Sequence, residues 1–216
     1  MVSKTFSGEI KGKIIELRFS FAGKLSSLYK KKGDGVRKGN LIASLDKKSL
    51  QAELDKQLGD FEKVRAEFEI YNLQKGEPKD DVAKYLKSEK QSQLNISVKE
   101  VELAKMKLDQ ADLFSPIEGV IIDDSSLVAG IYITPSSNPI KVLDVSSYFF
   151  EFQIEQKDLP NFSSPKPAKI DFVGIKKTFS GISNPIIPQE NGKFKVEVKL
   201  ETSEGLILGM IGKAKF

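Results

Sequence analysis

One stretch of the sequence, residues 47–112, limits the possible folds more than any other. Between Leu50 and Tyr71 a row of side chains recurs at alternating spacings of four and three residues, and only Gln57 interrupts its apolar character. The row consists of Leu50, Leu54, Gln57, Phe61, Val64, Phe68 and Tyr71. Such spacing is typical of a coiled coil. The sequence therefore predicts a coiled-coil helix here rather than an ordinary globular one.

A second helix is expected after the helix breakers Gly76 and Pro78. Its apolar residues form two rows with a seven-residue repeat: Leu94, Val98, Val101 and Leu108 in one, and Ile96, Leu103 and Met106 in the other. Each arm has about 30 residues and is about 45 Å long if it is straight. Because arms of equal length return the chain to its starting point, the sequence predicts an antiparallel helical hairpin inserted into another domain.

The two rows of the second helix leave its packing open. One row is expected to face the first helix. The other packs either on the hairpin of a neighbouring copy or, as part of one broad stripe, on the same partner helix. In both cases the sequence predicts that Leu103→Ala destabilises the hairpin, since a fully buried Leu contributes about 1.5–3 kcal/mol.

The residues on both sides of the hairpin are predicted to form β-strands. Residues 14–46 contain alternating apolar positions and a turn at Gly33-Asp34-Gly35. Residues 113–145 repeat the same order of features in degenerate form, with a glycine before apolar residues, a second glycine and a final Leu-Asp pair. Two similar halves around a helical insertion predict one β-domain that the hairpin divides.

The last part of the chain, residues 146–216, again alternates apolar and polar side chains, from Phe150 to Glu155 and from Phe194 to Leu200. Five prolines between positions 160 and 188 separate such segments. Short strands with proline or glycine turns favour a small β-barrel or a sandwich. Both remain open at this point; if this part is a β-barrel, the N-terminal strand region, residues 1–13, is expected to be added to it.

The absence of histidine and cysteine from all 216 residues excludes several kinds of site. No Ser-His-Asp triad, cysteine nucleophile, disulfide or zinc site of the usual ligands can form. Asp123 and Asp124 are adjacent, which in a strand directs them to opposite faces, so an acid-base pair is not expected. These kinds of catalytic chemistry are therefore excluded or not expected, and we predict no catalytic residues, metal site or cofactor.

The net charge of +4 originates in one part of the chain. Residues 1–46 contain ten basic and four acidic side chains, whereas the remaining parts carry a slight negative excess. The basic cluster consists of Lys30, Lys31, Lys32, Arg37 and Lys38. Nucleic-acid-binding surfaces are usually more extended and add stacking aromatic residues. We expect a solvated basic turn or a contact with an anionic partner, and no nucleic acid.

Two motifs resemble the lipoyl half-motifs of periplasmic adaptor subunits, also called membrane fusion proteins, of bacterial efflux and secretion systems. The first is GDGVRKGNLIASLD at residues 33–46; the second is LFSPIEGVI at 113–121, followed by Val128-Ala129-Gly130. The motif residues are Gly23, Gly33, Asp34, Gly39, Pro116, Gly119 and Gly130. In this family a coiled-coil hairpin separates the halves, and a β-barrel follows whose end resembles LGMIG at 208–212.

The resemblance implies a fold that is mainly β with a long α-helical hairpin. Residues 14–46 and 113–145 are expected to form a split lipoyl-like β-sandwich, residues 47–112 the hairpin, and residues 146–216 the β-barrel. It also implies a periplasmic adaptor that is not an enzyme and is anchored to the inner membrane. Such an adaptor links a proton-driven or ATP-driven inner-membrane transporter to an outer-membrane channel through a ring of protomers.

The sequence also departs from the family pattern. No signal peptide, membrane anchor or membrane-proximal domain after the barrel is visible, so we expect a truncated form of a longer protein. Many adaptors carry an Arg, a Leu four residues on and a Ser seven further at the hairpin tip. After Arg65 these positions hold Glu69 and Gly76, which puts the usual outer-membrane channel in question as the partner.

The hairpin tip is the expected contact site for a partner. Its charged side chains suit reversible polar contacts; they are Lys75, Glu77, Lys79, Asp80, Asp81 and Lys84. A solvated loop without a partner is the alternative. If the tip binds a channel, charge reversal of Asp80 together with Asp81 is expected to weaken that association.

Two other functions remain open at this stage. In lipoyl and biotinyl carriers, a lysine that follows Asp or Met at a β-turn is modified, and Asp46-Lys47 resembles that pattern. Here, however, Lys47 is expected in the first turn of a helix. A carrier domain of an enzyme complex and a coiled-coil scaffold without a transport role are therefore the alternatives to the adaptor.

Overall fold

Strands precede and follow one pair of long helices along the chain. The computed structural model describes residues 4–137, 139–188 and 194–216. The first strands are β1 (Thr5–Lys11), β2 (Ile14–Leu17), β3 (Gly23–Leu28), β4 (Gly35–Val36) and β5 (Leu41–Leu45). The helices are α1 (Lys48–Lys75) and α2 (Asp81–Asp109). The later strands are β6 (Asp112–Phe114), β7 (Gly119–Asp123), β8 (Tyr132–Ile133), β9 (Ile140–Asp144), β10 (Phe149–Ile154), β11 (Pro167–Phe172), β12 (Thr178–Ser183), β13 (Ile187–Pro188), β14 (Phe194–Leu200) and β15 (Ile211–Lys215).

Two four-stranded sheets form a sandwich from strands on both sides of the helices. Their strand orders are β2-β9-β7-β4 and β6-β5-β3-β8. Strands that precede the helices pair with strands that follow them, as β2 does with β9 and β5 with β6. Leu25, Ile42, Ile121 and Val142 are fully buried in the sandwich core. The divided β-sandwich expected from the sequence is confirmed.

Six strands close into a small barrel. Their order is β10-β1-β15-β11-β12-β14, and β14 pairs back onto β10. The N-terminal strand β1 lies between β10 and β15. Phe150, Phe152 and Phe179 are buried in the barrel interior. The expected small β-barrel is confirmed.

The two helices pack against each other as an antiparallel hairpin. On α1 the half-buried side chains include every member of the row from Leu50 to Tyr71 that the spacing predicted. No side chain of α1 is fully buried, and on α2 only Ser97 and Ala104 are. Along its length each helix packs only against the other helix, so the pair buries only a narrow row of side chains between them. The predicted hairpin is confirmed.

The hairpin and the barrel lie at opposite ends of the sandwich. Strand β1 of the barrel runs from Thr5 to Lys11 and ends next to the sandwich. At the opposite end of the sandwich lies the base of the hairpin, where Asp46 N donates to Lys24 O (2.8 Å). At the other end of β1, Phe216 N donates to Lys4 O (3.3 Å). The two ends of the described chain thus lie side by side, at the end of the barrel farthest from the hairpin. Neither helix in the described residues combines the length and apolarity needed to cross a bilayer.

Candidate partner-binding surfaces

One carboxylate fastens the base of the hairpin to the sandwich. Asp112 accepts hydrogen bonds from Lys47 Nζ and Ser44 Oγ, each at 2.6 Å. Burial by itself would raise the pKa of Asp112, but the bonds from Lys47 and Ser44 outweigh it and hold the pKa below its usual value. A single ionised side chain therefore joins the start of α1 to β5 and β6.

The ion pair at the hairpin base also bears on the carrier alternative. Lys47 occupies the N-cap position of α1, and its ammonium group lies against Asp112. A carrier presents its lysine at an exposed β-turn for modification. In this chain the corresponding lysine is part of the joint between helix and sandwich.

Asp112→Asn is expected to destabilise the protein by about 1–2 kcal/mol at pH 7, because two hydrogen bonds to a charged acceptor are weakened. The pKa of Asp112 is lower in the folded protein than in the unfolded chain. The ionised carboxylate therefore stabilises the fold fully above the unfolded-state pKa of about 4, and this stabilisation is lost as the pH falls through the folded-state pKa. Urea unfolding at pH 7 and near pH 3 measures both free energies. Glu118→Gln, at an exposed residue, is the control and should change neither. An equal loss at both pH values for Asp112→Asn would contradict the role of its charge.

Three glycines of the lipoyl-like motif connect the two halves of the sandwich. Gly33 N donates to Ile121 O (2.8 Å), Gly39 N to Ser115 O (2.7 Å) and Gly130 N to Leu25 O (2.7 Å). Their φ angles lie between +83° and +96°, a region that favours glycine. Each bond crosses from one half of the sequence motif to the other, so these glycines hold the divided domain together.

The other motif residues also shape the sandwich. Asp34 Oδ2 accepts from Lys31 N (2.8 Å) and closes the turn before β4. Gly23 begins β3 against the side chain of Leu45, and Gly119 is buried in β7. Pro116 is exposed in the connection between β6 and β7. We therefore propose a structural role for the whole motif.

Two of the acidic residues predicted to contact a partner begin helix α2. Asp80 is its N-cap, and Asp80 Oδ1 accepts from Ala83 N at 2.7 Å. Asp81 lies in the first turn, where a negative charge is favourable to the helix dipole. Reversing both charges would loosen α2 as well as any contact. That double variant therefore does not isolate partner binding.

The remaining charged residues of the tip differ in whether they form an ion pair. Lys84 pairs with Asp81 (2.9 Å), and Glu77 lies 3.6 Å from Lys87. All are exposed, and exposed pairs of this kind contribute little to stability. The two without an ion pair among the described residues are Lys75 and Lys79.

An apolar surface at the tip, here called the tip patch, was not predicted from the sequence. Its residues lie within two turns of the loop that joins the helices and are strongly exposed: Leu73 (86%), Val82 (68%), Tyr85 (76%) and Leu86 (48%). The segment looked polar because charged residues outnumber the apolar ones there. The signal that was available is that Leu73 falls outside the coiled-coil row that ends at Tyr71. Large apolar side chains gathered at one exposed end are typical of an association site.

The second apolar row of α2, here the outer row, faces away from α1. Its members Ile96, Leu103 and Met106 are 53–58% exposed. The other row, from Leu94 to Leu108, is half-buried and lies on the seam. The prediction that Leu103→Ala destabilises the hairpin is therefore wrong for a single chain. A seven-residue repeat is shared by both rows and does not reveal which of them faces the first helix.

Leu94→Ala is expected to destabilise the hairpin by about 1–2 kcal/mol more than Leu103→Ala, since only Leu94 loses contacts with α1. Leu103→Ala is its matched control, because it makes the same substitution in the same helix at an exposed position. Thermal unfolding of dilute protein, followed by helical circular dichroism, measures the difference. Equal losses would mean that both rows are buried in the single chain.

The basic cluster lies in the turns on either side of β4, and apart from the half-buried Lys30 its side chains are exposed. Among the described residues none of the five forms an ion pair. The neighbouring acids Asp123 and Asp124 instead shape a loop: Asp123 Oδ1 accepts from Ser125 N (2.8 Å) and Asp124 Oδ2 from Lys32 N (3.1 Å). The bond from Ser125 N and the charge of Lys141 lower the pKa of Asp123. In the part of the chain that is described, no three acidic side chains converge on a metal-binding position.

Known proteins resemble this chain in structure. No model of a protein family matches the sequence, and no curated protein matches it. A MacA-MexA chimeric protein with the Pseudomonas aeruginosa MexA α-hairpin domain has a TM-score of 0.82 and 18% identity, over 99% of this chain and 80% of the chimera. The membrane fusion protein Spr0693 from Streptococcus pneumoniae R6 has a TM-score of 0.80 and 16% identity, over 99% and 98%. The chain has the fold of the membrane fusion proteins.

The membrane fusion protein fold accounts for the order of all the parts. The periplasmic adaptor protein EmrA shares it at a TM-score of 0.54 and 16% identity, over 98% of this chain and 96% of EmrA. The resemblance inferred from the half-motifs is thus confirmed for the fold. Spr0693 is described as a membrane fusion protein and EmrA as a periplasmic adaptor protein.

Proposed function

We propose that the chain is a periplasmic adaptor that links an inner-membrane efflux or secretion transporter to an outer-membrane channel, and that it acts as a ring of protomers. The carrying observation is the apolar surface of the hairpin, at the tip patch and the outer row, which a single chain leaves in water. Exposed apolar surface of this extent marks protein association. The membrane fusion fold and the adaptor neighbours support the same function.

The two ends of the molecule suit different partners. The tip patch lies at the far end of the hairpin and is the surface that contacts the channel in this proposal. Lys4 and Phe216 lie side by side at the opposite end of the barrel, which faces the transporter and the inner membrane. Anchoring to the inner membrane at this end is part of the proposal. The molecule thus acts as a strut, with the sandwich holding the hairpin in place.

The complementary outer edges of the two helices support the proposed ring. The α2 edge carries the large side chains of the outer row, whereas the α1 edge carries small residues every seven positions at Ala52, Gly59 and Ala66. The arms run antiparallel and Tyr71 Oη reaches Ala83 O (3.5 Å), so these two edges lie at similar heights. Contact between α1 of one copy and α2 of the next is heterologous, which is the type that closes rings.

Gly59 adds a separate reason to expect close approach at the α1 edge. A Cβ at this position would meet no atom within 4 Å, so nothing in the chain itself requires glycine. Glycine in a helix interior costs about 1 kcal/mol relative to alanine. The absence of a side chain here leaves room for a large residue of another copy.

A pair of engineered cysteines tests the ring. The chain has no cysteine, so disulfides in Gly59→Cys/Ile96→Cys, at matching heights on the two edges, report only the new pair. The two positions lie on opposite edges of one hairpin and cannot pair within a chain. Oxidation should give covalent oligomers larger than dimers from the double variant and none from either single variant, on a non-reducing gel. Dimers from a single variant would show a two-fold contact, and a monomeric double variant would show none; both results contradict the proposed ring.

A further inference from the structure

A groove of about 530 Å³ opens where the sandwich meets the barrel. One wall belongs to the sandwich and includes Val120, Ile122 and Leu143. The other belongs to the connection between β14 and β15 and includes Leu206, Ile207 and Leu208. The volume falls in the range of small-molecule sites, which often occur at domain interfaces.

The lining of the groove restricts the chemistry of an occupant. No charged side chain lines it, and its polar side chains are the hydroxyls of Ser203 and Tyr148. Within the described residues neither hydroxyl has a hydrogen-bond partner. A charged ligand would lie against apolar walls without a counterion, which is unfavourable. An apolar wall with one or two free hydroxyls instead suits an uncharged molecule with few polar atoms.

Two connections, residues 12–13 and 145–148, join the sandwich to the barrel beside the groove. A Cβ on Gly12 would lie 2.9 Å from Leu143 Cδ1 and 3.0 Å from Tyr148 Cδ1, so the first connection is packed closely on the second. Lys13 N donates to Ser147 Oγ (2.7 Å), and Asp144 N donates to Lys13 O (2.9 Å). These bonds cross between the two connections, and Gly209 N donates to Ile10 O (2.9 Å) beside the other wall, so both walls are tied to β1 and its continuation.

We propose that this groove is a binding site for a small, uncharged, largely apolar molecule. The site lies away from the tip patch and the outer row and does not depend on the adaptor function. Its occupant contacts both domains at once, through Ile122 on one side and Ile207 on the other.

The test uses the neutral fluorophore N-phenyl-1-naphthylamine as the probe. Its fluorescence should rise saturably with one site per chain, and Ile207→Lys should weaken binding at least tenfold. Ile207 is 64% exposed, so this variant should fold normally. Val173→Lys, at a 78% exposed residue that does not line the groove, is the matched control and should bind as the unmodified chain does.

Two results would overturn the proposed groove site. One is probe binding that Ile207→Lys leaves unchanged. The other is binding that Leu103→Lys removes, since the probe would then be on the outer row of the hairpin. Absence of saturable binding would equally contradict the proposal.

Discussion

Replacing Gly119 with alanine is expected to destabilise the sandwich by about 3 kcal/mol or more, or to prevent folding. A Cβ on Gly119 would collide with the backbone oxygen of Leu143 and would lie 3.0 Å from Val142 Cγ1. The oxygen belongs to β9, which pairs with β7 through Gly119 and Asp144. Relief of the collision would therefore separate two central strands.

Gly35→Ala is the matched control for Gly119→Ala. Gly35 pairs with Val120, the residue next to Gly119, but a Cβ there would meet no atom within 4 Å. Its substitution should change the free energy of unfolding by less than about 1 kcal/mol. Urea unfolding followed by circular dichroism compares the two variants. If the Gly119→Ala and Gly35→Ala variants were equally stable, β7 would not pack as closely on β9 as described here.

The combined change Leu73→Asp/Tyr85→Asp is expected to weaken binding of the outer-membrane channel about 100-fold or more. Each side chain is largely exposed in the single chain, and burying such a residue contributes about 1.5–3 kcal/mol. Neither residue belongs to the seam, so the hairpin should keep its stability. The amount of channel that co-purifies with the full-length protein measures the effect.

Lys79→Ala is the control that shows whether the tip binds the channel through apolar or through polar contacts. Lys79 is exposed, and removing one exposed charge should weaken binding by less than about 1 kcal/mol, or about fivefold. If Lys79→Ala abolished channel binding while the Leu73/Tyr85 variant retained it, the contact would be the polar one that the sequence suggested. The tip patch would then have no role in it.

The parts of the fold that depend on local periodicity could be predicted from the sequence. The coiled-coil row of α1 follows from residue spacing alone, because each member lies on the same side of one helix. The divided sandwich followed from the two similar halves and from the family resemblance. Its pairings, such as β2 with β9, join segments more than 100 residues apart, which no local pattern encodes.

The candidate surfaces were harder to predict, for different reasons. At the tip, charge alone suggests partner contacts for Asp80 and Asp81, but an acidic residue before a helix is also an N-cap signal, and the two roles look the same in the sequence. The tip patch breaks the seven-residue repeat and so gave no periodic signal. The walls of the groove come from β7 and from residues 206–208, which meet only once the barrel folds back on the sandwich.

Site-specific crosslinking in intact cells tests the adaptor function most directly. A photoreactive amino acid is placed in the full-length protein at Leu73, in the tip patch, or at Thr5, which lies beside Lys215 at the far end of the barrel. We predict that Leu73 captures an outer-membrane channel and that Thr5 captures an inner-membrane transporter. Capture of one and the same partner from both positions, of a soluble enzyme subunit, or of no membrane protein from either would contradict the adaptor function.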